Sequence, residues 1–326
     1  MKFGVNVNTR VPLIYPSTYD SDKLLDLARA SENSGYDSVW VGDSILAKPR
    51  LDPLAVLSSV ATVTSKVKLG TACMIAPLRN PILLARTWAT LDLLSHGRTI
   101  MAVCVGPGTT EYDKLGIKYG NRGRMLEEYV QLLRKLWAED HVTFQGKYYN
   151  VSDITLNPKP IQTKLPIQIV GWPYSHGGHE VKSEESNPKL MDAVFSRVAK
   201  HGDGWMFDGF ATPENVADGI ERLKASSKSA GRDSSELDIV YQMTMNLNST
   251  SREEAVREGK EYLLKYYGDL SRPLDSWGPF GTADDCIDRI ERFKSAGVKT
   301  IVLRFASSHQ ADQFSRFTKE VLPSFN

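Results

Sequence analysis

Eight short apolar runs alternate along the chain with longer segments of helical periodicity. The short runs are rich in β-branched residues and cover residues 3–8, 38–42, 67–74, 99–105, 166–171, 204–207, 237–243 and 300–305. The periodic segments cover roughly 20–34, 52–64, 81–95, 121–138, 188–200, 213–230, 251–267 and 283–296. Buried parallel strands have nearly continuous apolar sequences, and eight strand–helix units close into a barrel. The pattern predicts one α/β domain over residues 1–326, a (β/α)8 TIM barrel, with an open doubly wound sheet as the alternative.

Capping residues mark the ends of these helices. An N-cap residue precedes a first-turn proline at Asp52-Pro53, Asn80-Pro81 and Thr212-Pro213. Glycine follows four of the helices, at Gly35, Gly97, Gly231 and Gly297. Loops of this kind lie at the bottom of a barrel, the end that serves stability, so we assign no chemistry to His96 or Arg98.

Two insertions exceed what a minimal barrel needs, after the fourth and the fifth strand. Residues 139–165 have alternating apolar positions around Gln145-Gly146, which predicts a β-hairpin followed by an extended proline-containing stretch. Residues 172–187 form a long polar segment that leaves from the C-terminal end of the barrel. A lid over the site and an ordinary surface loop are both compatible with this segment.

Composition and charge narrow the classes of partner. The net charge is +1, without a basic stripe for nucleic acid or a cationic amphipathic segment for a membrane surface. No apolar run is long enough for a transmembrane helix, and the N-terminal MKFGVNVNTR lacks the apolar region of a signal peptide. Three widely spaced cysteines, Cys73, Cys104 and Cys286, fit a reducing compartment. We therefore expect a cytoplasmic protein with no nucleic-acid or membrane partner.

The carboxyl ends of the predicted strands form the functional face of such a barrel. They supply Asn6, Asn8, Asp43, Ser44, residues 71–74, residues 106–108, Gly171, Trp172, Trp205, residues 243–246 and Arg304. This set has no histidine and few carboxylates, but it offers small residues, amides and two tryptophans. Such a mouth suits a large flat cofactor that brings its own chemistry, and it poorly suits hydrolysis by paired carboxylates.

Other chemistries lack their motifs. The loop sequence His176-Gly177-Gly178-His179-Glu180 offers no evident third metal ligand, so we predict no metal site. The chain contains no GxxxxGK[ST] loop, GxGxxG fingerprint or GxSxG elbow. Cys73 and Cys104 have no obvious histidine partner, which favours buried strand residues over nucleophiles.

Several stretches resemble the bacterial luciferase-like flavin-dependent oxidoreductases. The stretch at 35–108 is GYDSVWVGDSILAKPRLDPLAVLSSVATVTSKVKLGTACMIAPLRNPILLARTWATLDLLSHGRTIMAVCVGPG. The others are RGRMLEEYVQLLRKLW (122–137), VTFQGKYYNVSDITLNPKPIQ (142–162), HGDGW (201–205) and FGTADDCIDRIERFKSAGVKTIVLRF (280–305). The resemblance spans nearly the whole chain and implies a (β/α)8 barrel with insertions. It is specific for the superfamily and says little about the substrate.

The resemblance also implies where a flavin binds. In this family the third strand has a bulge with a non-proline cis peptide behind the ring, which corresponds here to Thr71, Ala72 and Cys73, with the cis bond between the last two. Gly106 and Gly108 would give the cofactor clearance, the alternative being a plain strand-ending turn. Phosphate contacts in the family begin at positions that match Gly171 and Trp172, with Gly177, Gly178 and the amides near Ser186 as further candidates.

The remaining candidates surround the ring and the substrate. Asp43 and Ser44 are the candidate catalytic residues and, with Asn8, would position the ring edge by hydrogen bonds; capping of the loop before Pro53 is the alternative for Asp43. Asn6, Arg122 and Trp205 are the candidate substrate-binding residues. Core packing is the alternative for Trp205, and an ion pair with Glu127 or Glu128 is the alternative for Arg122.

Two cofactors divide this superfamily. Its FMN users commonly activate oxygen with reduced flavin from a separate reductase, whereas its users of the deazaflavin F420 transfer hydride. The sugar-phosphate dehydrogenases among the F420 enzymes have a histidine and a glutamate where this chain has Ser44 and Thr109. This departure argues against that branch, although F420 reductases without the pair exist.

We predict a two-component FMN-dependent monooxygenase that acts on a small organic substrate. An F420-dependent hydride-transfer oxidoreductase supplied by an F420 reductase is the alternative, and a cofactor-free, non-catalytic barrel is a third possibility. Relatives are usually dimers through barrel helices, so we expect a homodimer, with Leu84, Trp88 and the region 121–137 as a candidate surface.

Overall fold

Strands and helices alternate through the computed structural model, which describes residues 1–16, 20–106, 108–172, 188–268, 270 and 273–325. The strands are β1 (Lys2–Asn6), β2 (Ser38–Val41), β3 (Lys68–Thr71), β4 (Met74–Ile75), β5 (Thr99–Cys104), β6 (Val142–Gln145), β7 (Asn150–Ile154), β8 (Ile167–Val170), β9 (Gly204–Asp208), β10 (Asp238–Leu247), β11 (Phe280–Gly281) and β12 (Thr300–Phe305). The helices are α1 (Val11–Ile14), α2 (Ser21–Asn33), α3 (Pro53–Val63), α4 (Pro81–Leu94), α5 (Thr109–Lys114), α6 (Arg122–Ala138), α7 (Pro188–His201), α8 (Pro213–Ser229), α9 (Arg252–Tyr267), α10 (Ala283–Ser295) and α11 (Gln310–Glu320).

Eight parallel strands close into a barrel. Their order is β1, β2, β3, β5, β8, β9, β10 and β12, and β12 pairs again with β1. The short β4 pairs with β5 beyond the end of β3, and β11 pairs with the end of β10. The (β/α)8 fold predicted from the alternation is therefore confirmed.

The prediction of one helix after each strand was wrong at the end of the barrel. The segments predicted at 251–267 and 283–296 are α9 and α10, but both lie between β10 and β12, the seventh and eighth barrel strands. The last outer helix is α11, which the sequence analysis did not assign. The number of predicted helices was still eight, because the crossover from β10 to β12 contains two helices while the helix after β12 was not predicted.

One layer of side chains fills the centre of the barrel. It consists of Trp40, Ala102, Met206, Val240 and Val302, all buried. A Cβ at Gly70 would lie only 2.2 Å from the Trp40 ring, so only glycine gives this indole room inside the barrel. The interior below the mouth is therefore a packed core, as in other barrels of this size.

At the bottom of the barrel, Arg98 joins two successive loops, the one after α3 and the one after α4. Its Nε donates to the carbonyl oxygen of Ser95 over 2.7 Å, and Nη1 donates to the hydroxyl of Thr64 over 3.0 Å and to the carbonyl of Val67 over 2.9 Å. Nη2 donates to the carbonyls of Ala61 and Thr64 over 3.2 and 3.0 Å. Every guanidinium nitrogen therefore has a partner, which agrees with the stabilising role expected at this end.

The insertion before β8 forms the predicted hairpin. β6 and β7 pair antiparallel around the turn at 146–149. The carboxylate of Glu128, near the start of α6, accepts hydrogen bonds from the N–H groups of Lys147, Tyr148 and Tyr149 over 3.0, 2.8 and 3.3 Å. The hairpin turn is therefore anchored to the part of α6 that begins at the barrel mouth.

The outer surface differs from one expectation. Leu84 and Trp88, considered as part of a dimer surface, are buried inside this chain at 3% and 0% exposure. They pack in its own main core, so they are not available to a second copy. Within the described ranges, no helix has both the length and the apolar character that crossing a bilayer requires.

Candidate active site

A cis peptide bond between Ala72 and Cys73 interrupts the third barrel strand at the mouth. Before it, the buried hydroxyl of Thr71 donates to the carbonyl oxygen of Ala102 over 2.8 Å and accepts from the N–H of the same residue over 3.1 Å. After it, the chain pairs with β5 again as β4. The cis bond implied by the resemblance is therefore present, and the side chains beside it lie on the central layer of the barrel.

The end of the fourth barrel strand contains two glycines with different surroundings. Gly106 has a φ of +72°, and a Cβ there would lie 3.0 Å from Cγ2 of Ile75. A turn explains this glycine without a cofactor. At Gly108, by contrast, no atom of the described residues other than its chain neighbours lies within 4 Å of an ideal Cβ. Clearance for a cofactor therefore stays a prediction, and the geometry favours Gly108 for that role.

Two thiols lie close to this open space. Cys73 and Cys104, predicted as buried strand residues, are instead only half-buried. Cys73 directly follows the cis bond, and Cys104 is the last residue of β5. The barrel mouth is therefore lined here by small side chains that remain partly accessible.

The carboxylate of Asp43 is engaged on both oxygens. It accepts hydrogen bonds from the N–H of Ile75 over 3.0 Å and from Nη2 of Arg79 over 2.6 Å. Burial raises the pKa of Asp43 above its ordinary value, and Arg79 offsets part of that rise. Asp43 thus ties the end of β2 to the segment after the cis bond, the geometry of a positioning residue. The alternative of a cap before Pro53 is wrong, because Asp52 accepts both capping hydrogen bonds from α3.

Ser44 belongs to a loop held by a buried glutamate. Its hydroxyl donates to Oε1 of Glu111 over 3.2 Å and accepts from the N–H of Lys48 over 3.0 Å. The same carboxylate oxygen accepts the N–H groups of residues 45–47. Burial alone would raise the pKa of Glu111, but these backbone hydrogen bonds lower it. The catalytic role of Ser44 stays a prediction, since its observed contacts fix the loop.

Both candidate asparagines are buried and bonded within the protein. Nδ2 of Asn6 donates to Oε1 of Gln242 over 2.9 Å. Nδ2 of Asn8 donates to the hydroxyl of Tyr262 on α9, and its Oδ1 accepts the backbone N–H of Arg10 over 3.1 Å. Their predicted contacts with substrate and cofactor stay predictions. Their observed hydrogen bonds join β1 and the segment after it to β10 and α9.

Three arginines surround Tyr266 on α9, and we call Arg10, Arg50 and Arg304 the arginine cluster. Nη2 of Arg50 donates to the Tyr266 hydroxyl over 3.2 Å. The guanidinium carbons of Arg10 and Arg304 lie 5.1 and 5.8 Å from the centre of its ring, within cation–π range. Nε and Nη2 of Arg304 also donate to the hydroxyl of Thr244 over 2.9 and 2.6 Å. The sequence analysis named Arg304 as a strand end but missed the other two, which belong to no motif.

The arginine cluster and the cis peptide share the barrel mouth. A Cβ on Gly42 would lie 2.2 Å from Nη1 of Arg50 and 3.3 Å from the carbonyl oxygen of Ala72. The guanidinium therefore lies against the backbone directly beside the cis bond. Glycine at position 42 is what allows this approach.

Trp205 does not line the mouth, and its predicted substrate contact is corrected here. Side chains alternate along β9, and Met206 points into the barrel while Trp205 points outward. Its ring is 0% exposed and packs edge-on against Phe195 at 5.2 Å. The alternative of core packing is therefore the right one.

Gly171 and Trp172 lie above this outer layer. Trp172 is half-buried and stacks on Trp205 with ring centres 5.9 Å apart. The carbonyl oxygen of Gly171 accepts the indole N–H of Trp205 over 2.7 Å. Their role in phosphate binding stays a prediction, and the further candidates at 177, 178 and 186 lie outside the described residues, as does the proposed lid at 173–187.

Arg122 makes neither of the ion pairs considered for it. Its guanidinium carbon lies 3.6 Å from the centre of the Tyr119 ring, and Nη1 donates to the carbonyl oxygen of the same residue over 3.2 Å. Glu127 pairs instead with Arg197 over 3.2 Å, and Glu128 holds the hairpin. Contact of Arg122 with an anionic substrate stays a prediction.

The residues at the mouth fit a flat, polar ring system. Open space lies over Gly108, and small accessible side chains flank the cis bond. Nε and Nη1 of Arg10 and Nε of Arg50 are buried without a hydrogen-bond acceptor. Such donors match acceptor atoms of a bound molecule, and a flat cofactor at the mouth would bring its own redox chemistry.

Comparison with known proteins agrees with this architecture. A family model described as luciferase-like monooxygenase matches residues 1–300. The F420-dependent glucose-6-phosphate dehydrogenase of Kineococcus radiotolerans is 37% identical over 156 residues, 45% of this chain and 46% of that protein, so the match spans less than half of that relative. The enzyme of the same name from Amycolatopsis mediterranei is 26% identical over 321 residues, 92% of this chain and 93% of that one.

A solved structure shows the same fold. The monooxygenase RslO1 from Streptomyces bottropensis has a TM-score of 0.82 and 21% identity, with 100% of both chains covered. At that identity the likeness concerns the fold alone. The family model, however, covers most of the chain. The chain therefore belongs to the luciferase-like monooxygenase family and is an oxidoreductase.

Proposed function

We propose that this protein is an F420-dependent oxidoreductase that transfers hydride between the deazaflavin and a small organic substrate. The observation that carries the proposal is the similarity to an F420-dependent dehydrogenase over 92% of the chain. The cis bond at Ala72-Cys73 and the open space over Gly108 support a ring bound at the mouth. F420 thus takes precedence over FMN, which the sequence had favoured.

The chain itself would bind and orient the reactants. The deazaflavin supplies the hydride chemistry when bound. The protein would hold the ring against the cis peptide, which Asp43 and Arg79 keep in place through the hydrogen bond of 2.6 Å. The hydroxyl of Ser44 is bonded to Glu111 and is no base. We therefore propose hydride transfer without the histidine–glutamate chemistry of sugar-phosphate oxidation.

FMN-dependent oxygenation is the second candidate. It is supported by the description of the family that matches residues 1–300 and by the absence of that ionisable pair at Ser44 and Thr109. Here the protein would bind reduced FMN from a separate reductase.

Anaerobic titration with reduced F420 and, separately, with reduced FMN distinguishes the two. Tryptophan fluorescence reports binding, because Trp172 lies half-buried near the site. Saturable binding of F420 alone is expected. Saturation by FMN alone would move the protein to oxygenation, and saturation by neither would favour the cofactor-free barrel.

A substitution at Gly108 tests the location of the ring. Gly108→Leu places a side chain in space that no described atom occupies, so the fold should persist while F420 binding weakens by about tenfold or more. Circular dichroism checks the fold. Unchanged F420 affinity in the folded variant would remove the ring from this position.

A further inference from the structure

The arginine cluster has more cationic donors than the described protein satisfies. Nε and Nη1 of Arg10 and Nε of Arg50 are buried without a hydrogen-bond acceptor. Of the described side chains, those of residues 1–16, 20–106, 108–172, 189–207, 209–268, 270 and 273–325, no carboxylate forms an ion pair with either arginine. Buried charges are normally paired, because removing them from water is costly. These N–H groups of Arg10 and Arg50 therefore lack the negatively charged acceptor that a buried guanidinium normally has.

Aromatic rings satisfy only part of this charge. The Tyr266 ring lies 5.1 Å from the guanidinium carbon of Arg10 and 5.8 Å from that of Arg304. The single hydroxyl of Tyr266 is already bonded to Nη2 of Arg50 over 3.2 Å. Arg10 and Arg50 belong to two separate loops that meet at the same tyrosine. A ligand bound by both arginines would explain why two positive charges lie together there.

We propose that the arginine cluster binds an oxyanion, a carboxylate or phosphate, of the substrate. The inference rests on the proposed function, since it gives the substrate class of the same mouth. Arg50 lies against the backbone beside the cis peptide, where a Cβ on Gly42 would be 2.2 Å from its Nη1. An anion held there is next to the position proposed for the ring. Arginine suits this task because its planar N–H groups match two oxygens of one anion.

Calorimetric titration of the full chain with inorganic phosphate and with acetate tests the inference. Saturable binding is expected at low ionic strength, because exposed and partly buried charges are screened by salt. Arg10→Gln and Arg50→Gln should each weaken it by roughly tenfold to a hundredfold, the loss of one charge-assisted hydrogen bond. The control is Arg29→Gln, whose arginine is exposed on α2 and paired with Asp26 over 2.6 Å, and it should bind as the wild type does.

The same variants are titrated with reduced F420, which separates the anion site from the cofactor site. Normal F420 affinity with lost phosphate or acetate binding supports a substrate subsite. Equal losses of both affinities would assign the cluster to the cofactor and overturn the substrate role. Absence of anion binding in the wild type, or unchanged binding in both variants, would overturn the inference. If the wild type binds anions through the cluster but binds no cofactor, the anion site is supported and the proposed function fails.

Discussion

Arginines at the two ends of the barrel have opposite surroundings. At the bottom, all three guanidinium nitrogens of Arg98 have hydrogen-bond partners, five in all. At the mouth, Arg10 has two buried guanidinium nitrogens without any. Burial lowers the pKa of both side chains, and at Arg10 the neighbouring charge of Arg50 lowers it further. The two ends therefore differ in how completely the protein satisfies the donors of a buried arginine.

Carboxylates repeat the comparison. Asp203, near the bottom, pairs with Arg134 over 2.7 Å and with Lys164 over 3.0 Å. Burial by itself would raise its pKa, but these partners and the N–H of Ile167 lower it. At the mouth, burial raises the pKa of Asp43 despite Arg79. The surroundings of Asp203 therefore stabilise its charge, whereas those of Asp43 do not fully offset its burial.

The largest effect on stability is expected for Arg98. Arg98→Met leaves several buried carbonyl oxygens without a donor and should lower the free energy of unfolding by about 3–5 kcal/mol. Urea denaturation measures it. Arg29→Met, on the exposed face of α2, is the control and should stay within about 0.5 kcal/mol of the wild type. Equal losses for Arg98→Met and Arg29→Met would mean that the hydrogen bonds of Arg98 do not stabilise the bottom of the barrel.

The two aspartates should respond to acid in opposite directions. The lowered pKa of Asp203 gives stability that is present above its unfolded pKa of about 3.9 and is lost as pH falls through the folded value. The advantage of wild type over Asp203→Asn, about 2 kcal/mol at neutral pH, should therefore shrink in acid.

The raised pKa of Asp43 has the reverse sign. Its charge costs stability above the unfolded pKa, and the cost disappears as pH falls through the folded value. The advantage of wild type over Asp43→Asn should therefore grow as the pH is lowered. Urea denaturation between neutral pH and about pH 3 measures both variants, because most of the loss expected for Asp203 lies below its unfolded pKa of about 3.9. Parallel curves would contradict the contrast.

Gly106 and Gly108 both lie at the mouth, and they should differ in how well they tolerate a side chain. Gly106→Ala should destabilise by about 1–2 kcal/mol, because its φ of +72° is costly for a residue with a Cβ. Gly108→Ala should change the free energy of unfolding by less than about 0.5 kcal/mol, since its surroundings are open. Thermal and urea unfolding give both free energies of unfolding. A larger loss of stability for Gly108→Ala than for Gly106→Ala would contradict the assignment of Gly106 to a turn and of Gly108 to open space.

The smallest effect on stability is expected at Arg10. Arg10→Met removes two buried unpaired donors beside the like charge of Arg50, so the free energy of unfolding should stay within about 0.5 kcal/mol or rise slightly. The same urea experiment measures it. A loss comparable with that of Arg98→Met would mean that Arg10 is a structural residue.

The fold could be predicted from the sequence because its signals are local. Near-continuous apolar runs mark strands buried on both faces, and Asp52, Asn80 and Thr212 begin α3, α4 and α8 with the expected capping hydrogen bonds. The last helix was missed because counting segments does not tell which strand a helix follows. The cis bond came from resemblance, since periodicity contains no information on it.

The site could be predicted only in part. That the site lies at the carboxyl ends of the strands stays a prediction, and composition could not show that Trp205 points outward while Met206 points inward. The contacts of Asp43 with Arg79 and of Ser44 with Glu111 join loops that no motif connects. Their partners were therefore missed.

Burial periodicity within each element was enough to predict the eight barrel strands, most of the outer helices and the closed barrel. Only the tertiary structure decided that Arg10, Arg50 and Arg304 meet around Tyr266. These residues belong to the first, second and last strand–helix units, which become neighbours when β12 pairs with β1. Closure of the barrel is a long-range event, so the charge that it concentrates has no signature in any single stretch of the chain.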